Sequence, residues 1–150
     1  MDNQLQKRME PIAVIVHIQT QSKQLPDVKP RQTTGQLQQM GDSLYLSYSE
    51  DETEMGRTTT RYKFERKTSQ GLTLIRSGDI SMRQVFVPNE VTYGRYESPF
   101  GTFQMETTTK HTAFSWDGIK GEIKLDYRLR MNEDDLGRFR LHIKFEKVFN

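Results

Sequence analysis

A chain of 150 residues has the size of one domain, and at that length about 70% of the unfolded surface can be buried around a single core. Hydrophobic residues are 33% and charged residues 28%, yet eight Phe, six Tyr and one Trp supply large pieces of buried area, which excludes a wholly disordered chain. Lys and Arg number 22 against 20 acids, a net charge of +2 without the concentrated charge of most nucleic-acid binders, and the absence of cysteine removes disulfides, thiolate catalysis and cysteine-based zinc sites.

In chain order, Met1 to Glu10 is polar and residues 1–8 are expected to be disordered or loosely attached. The apolar run Ile12 to Val16 is too short for a signal peptide or a membrane span, so the expected location is the cytoplasm, with no membrane partner. A first strand is expected over about 11–21. From Gln19 to Met40 the pattern weakens: seven glutamines, Pro26 and Pro30 leave room for at most an edge strand with a bend.

Period-two runs then recur over about 43–50, 57–66, 71–76, 80–87, 91–97, 101–109 and 111–116. Turn chemistry separates them: Ser77-Gly78-Asp79 supplies a residue tolerant of positive φ, Pro88-Asn89 bars continuation, Ser98-Pro99-Phe100-Gly101 suits a type I turn, and Asp117-Gly118 a tight hairpin. From Gly121 onward Ile123, Leu125, Tyr127, Leu129 and Met131 alternate with polar residues. After the turn at Asn132 to Asp135, Phe139, Leu141, Ile143 and Phe145 do the same, so the two runs predict a hairpin. Turn signals about every 8 to 12 residues, with no long helical spacing, predict an all-β domain over residues 1–150. Short connections favour an antiparallel up-and-down meander, and closing it into a barrel of roughly 8 to 11 strands removes the exposed edges.

Three stretches resemble the YwiB-like family of uncharacterised bacterial proteins: Tyr48-Ser49-Glu50 with its acidic run, Arg76-Ser77-Gly78 leading to Met82 and Phe86, and Tyr96-Glu97-Ser98-Pro99-Phe100-Gly101. The final hairpin extends the likeness over most of the chain. Ser98 and Phe100 stand where Thr and Tyr are expected, and the glutamine-rich entry is unusual. The resemblance implies a lipocalin-like, or calycin-like, barrel and carries no activity with it.

Parity singles out one constellation. Glu50 is in phase with Leu44, Leu46 and Tyr48, and Arg76 with Leu72 and Leu74, so both charges are expected inside. In a meander their strands run the same way with one strand between them, so both reach one mouth about 9.6 Å apart, within the span of the two side chains. Thr58 and Thr60 would line the gap, and Tyr96 ends a strand pointing the same way, its phase left ambiguous by Gly94. The cluster reads either as a structural ion pair or as the anchor of a small polar or anionic ligand.

Other constellations carry less. Glu50, Asp51, Glu52 and Glu54 put four carboxylates in five residues, but without the glycine and spacing of a calcium loop they read as a solvated turn, so no metal and no cofactor is expected. Lys124, Arg128, Arg130, Arg138, Arg140 and Lys144 could form a basic outer face for nucleic acid or a protein partner; Glu122, Asp126 and Glu146 interrupt it, which makes nucleic acid unlikely. His17, His111 and His142 are scattered, and no nucleophile elbow, phosphate loop or paired-histidine spacing occurs. The expected protein is therefore not an enzyme but a ligand-binding barrel.

Overall fold

The computed structural model describes residues 10–26, 28–53, 56–67 and 71–149. The expected loose N-terminus, residues 1–8, and the side chains of Asp51, Glu52 and Glu54 lie outside the described residues. The chain forms ten strands: β1 (Ile12–Ser22), β2 (Arg31–Met40), β3 (Ser43–Thr53), β4 (Gly56–Glu65), β5 (Leu72–Gly78), β6 (Ser81–Phe86), β7 (Val91–Ser98), β8 (Gly101–Trp116), β9 (Lys120–Met131) and β10 (Asp134–Lys147). Each pairs antiparallel with the next, and β1 also pairs with β10, closing the barrel. An even strand number lets an antiparallel meander close without a mismatched seam.

The expected up-and-down barrel is thus the observed one, with two corrections. The segment Gln19 to Met40 holds no edge strand: β1 runs on to Ser22, and β2 is paired on both sides, by β1 and by β3. Closure supplies the neighbour that its polar sequence does not advertise. The separate runs 101–109 and 111–116 are one strand, β8, whose register to β9 shifts between Thr109 and His111. Lys110 is the extra residue of a bulge, which reverses the parity that made the runs look distinct.

Turns follow their residues. Gly78 has φ +134° and packs against the Arg57 carbonyl, where a Cβ has no room. Asn132 and Glu133 both take positive φ in the β9–β10 hairpin, the requirement of a tight primed turn.

The interior is apolar and aromatic over most of its length. Near the β8–β9 turn Phe64 stacks on Phe114 at 4.8 Å, and Trp116 on Phe145 at 5.7 Å. Further along, Tyr127 lies between Phe86 at 4.9 Å and Phe139 at 5.6 Å. The buried charge sits at the opposite mouth, where β3 and β5 end and β2, β4 and β6 begin, with buried Thr58 and Thr60 beside it, while Gln84, Thr107 and Thr109 are buried mid-strand on β6 and β8.

Candidate functional site

Alternation on β3 turns Leu44, Leu46, Tyr48 and Glu50 inward, and all four are buried. Across the ladder Glu50 faces Thr58, Tyr48 faces Thr60, and Thr60 faces Arg76 on β5. The carboxylate therefore meets a hydroxyl from the neighbouring strand and a guanidinium from the strand beyond.

Thr60 Oγ1 donates to Glu50 Oε2 at 2.6 Å, and Arg76 Nη2 lies 3.4 Å from the same oxygen. A third partner comes from β2: Arg31 Nη2 donates to Glu50 Oε1 at 2.8 Å. Glu50 is 9% exposed, whereas the side chains of Arg76 and Arg31 are 28% and 46% exposed, so the carboxylate forms a floor and the cations rise from it toward the opening.

Two donors at this floor are left over. Arg76 Nε and Thr58 Oγ1 are both buried without a hydrogen-bond partner. A buried polar atom left unpaired costs on the order of 1 to 3 kcal/mol, so the cluster carries an unmet demand for acceptors at these two atoms.

Burial pushes the Glu50 carboxyl up, but the Arg76 charge, the Thr60 hydrogen bond and Arg31 together outweigh it and hold the group below its ordinary value. Burial, with the Glu50 charge adding, pushes the Tyr48 phenol up to about 12, and burial raises Tyr62 well above its ordinary value. Burial likewise takes Tyr127 on the far wall to about 12, with the Arg76 charge opposing. The phenols are neutral hydroxyls at any physiological pH.

Of the residues singled out from sequence, the structure brings Glu50, Thr58, Thr60 and Arg76 into one cluster. Tyr96 resolves the ambiguity left by Gly94 in favour of an inward, half-buried position: it pairs with Met82, which pairs with Arg76, and its ring packs on Phe103 at 6.2 Å. Arg31 was not anticipated, and Tyr48, Tyr62 and Tyr127, inward by parity, were not assigned to the cluster. Arg31 shares the parity of Leu37, the one buried residue of β2, and that phase was the available signal.

The expected basic face of the last hairpin is largely self-neutralised. Arg138 grips Asp126 through Nε at 2.8 Å and Nη2 at 2.6 Å, and Arg140 Nε stands 3.7 Å from the same carboxylate. Arg128 pairs with Asp135 at 3.1 Å, Lys124 with Glu122 at 3.8 Å, and His142 Nε2 lies 2.8 Å from Glu122.

Fold and site together define a closed ten-stranded up-and-down barrel with an ion cluster set into one mouth. Residues 12–143 match the family described as domain of unknown function DUF1934, and the chain belongs to that family. It is 30% identical over 115 residues to the uncharacterized beta-barrel protein YwiB of Bacillus subtilis (strain 168), a match covering 76% of this chain and 78% of that one. The crystal structure of the ywiB protein from Bacillus subtilis superposes with a TM-score of 0.75 at 26% identity, covering 93% of this chain and 92% of the other.

Proposed function

We propose that this chain is a non-enzymatic cytoplasmic barrel protein that binds a small polar or anionic ligand at the mouth holding Glu50, Arg76, Thr58 and Thr60, with Tyr96 on the adjoining wall and Arg31 at the rim. One observation carries the reading: two guanidinium groups converge on a single carboxylate, so the cluster holds more positive charge than it neutralises. Of the three charges only Glu50 is buried, and one guanidinium would suffice to offset its desolvation, so the second leaves positive charge at the rim. The unpartnered Arg76 Nε and Thr58 Oγ1 supply directional donors beside that surplus.

Binding through the outer face of the last hairpin has less support. Arg128, Arg138 and Arg140 are paired with cross-strand carboxylates, and a phosphate would have to displace them.

Native mass spectrometry of protein purified from its own host, followed by a thermal-shift screen of small anions, tests the proposal. A copurified acidic compound, or a stabilising anion, whose effect disappears in Arg76→Met is the expected result. Only unliganded mass together with a flat anion screen would refute it.

A further inference from the structure

The mouth has a definite charge balance. Among the described residues, Arg31 and Arg76 contribute two positive charges and Glu50 one negative charge to the same contact network, an excess of one cation. The hydroxyls nearest it add none, since burial keeps Tyr48 and Tyr62 protonated. The floor is poorly hydrated: Glu50 is 9% and Thr58 3% exposed. In such surroundings an unbalanced charge is penalised far more than in water.

We infer that Glu50 sets the charge of the ligand, so that the mouth accepts a monoanion, discriminates against a dianion, and reverses that preference when the carboxylate charge is removed. This rests on the anion-binding reading above and adds a selectivity to it. A monoanion seated against Arg76 Nε and Thr58 Oγ1 completes the pairing of both guanidinium groups. A dianion leaves one negative charge uncompensated beside Glu50, at close range and in low dielectric. Replacing Glu50 by Gln leaves two unopposed guanidinium groups, and a dianion then becomes the neutralising ligand.

Two tetrahedral oxyanions of different charge serve as probes, dimethyl phosphate with one negative charge and sulfate with two, and the change in their affinity ratio between parent and variant cancels their differences in size and hydration. Titration calorimetry at fixed ionic strength gives both affinities, since screening would otherwise shift them unequally. The parent protein is expected to favour dimethyl phosphate by about ten-fold or more, and Glu50→Gln to favour sulfate by a similar factor. Arg31→Gln, at a half-exposed position, supplies a second reading if Glu50→Gln does not fold. It removes one positive charge and should weaken sulfate more than dimethyl phosphate, because Coulomb attraction scales with ligand charge. Sulfate bound as tightly as dimethyl phosphate by the parent, an unchanged ranking in Glu50→Gln, or equal losses in Arg31→Gln would overturn the charge selection while leaving anion binding intact. No binding of either probe would overturn the anion-binding reading itself.

Discussion

Glu50 and Arg76 are coupled through one carboxylate oxygen 3.4 Å from the guanidinium, and Arg31 holds the other. Arg76→Ala should therefore cost on the order of 2 kcal/mol, below the usual 3 to 5 for stranding a buried partner, because Arg31 still covers Glu50. Combining Glu50→Gln with Arg76→Met should recover part of the loss, and urea denaturation of the four proteins in a double-mutant cycle measures the coupling. Strict additivity would mean that the two charges act independently. The pH dependence has a definite sign. A carboxyl held below its ordinary value of 4.5 contributes stability that is complete above that pH and is lost as pH falls from there toward the folded-state value. Stability of Glu50→Gln should accordingly fall less steeply with acid below about 4.5 than that of the parent. The buried phenols work at the other end: stability they confer is present below pH 10 and is lost as pH rises toward about 12. At this scale much of the site was legible, because parity on three consecutive strands places Glu50, Thr58, Thr60 and Arg76. Arg31 was obscured by glutamines at both polar and inward positions of β2. Tyr127 needed the barrel to close, since its phenol feels the Arg76 charge only across the interior.

Among the elements, the β9–β10 hairpin was readable apart from the start of β10, which takes in Asp134 and Asp135 and shifts register before Gly137, and its phase makes a direct comparison possible. Ile143 is fully buried, so Ile143→Ala should cost about 2 to 5 kcal/mol, whereas Arg140→Ala on the exposed face should cost under about 0.5 kcal/mol. Thermal denaturation decides between them, and a reversed order would contradict the register. Two elements were not readable. β2 becomes a regular strand because closure gives it a partner on each side, and β8 is continuous because one bulged residue absorbs a parity break that local sequence presents as an end. The β6–β7 seam was equally hidden. Its ladder comprises only Ser81 with Glu97 and Met82 with Tyr96. Beyond these pairs the Thr92 hydroxyl donates to the Val85 carbonyl, and Gln84 Nε2 reaches past Gly94 to Thr107 Oγ1 on β8 at 2.9 Å. Side chains there replace backbone bonds. Amides of residues 83–86 and 91–95 that face this seam should exchange with deuterium faster than those between β9 and β10, and equal protection would show the seam to be as stable as the rest.

For the whole molecule, the aromatic end and the charged end divide the work. Stacked rings around Phe145 and Tyr127 occupy the interior and give the barrel its packing, while the opposite mouth keeps charged groups that a core built for stability alone would replace with apolar ones. The central claim is that this mouth, and not the outer face of the last hairpin, takes an anion. Nitrogen-15 chemical-shift mapping during titration with dimethyl phosphate tests it most directly, because the two surfaces lie on different residues of one spectrum. Saturable shifts are expected at the Arg76 and Arg31 side-chain Nε signals and at the amides of Glu50, Thr58 and Thr60. Shifts confined to Arg138, Arg140 and Lys144, with the mouth unmoved, would contradict it.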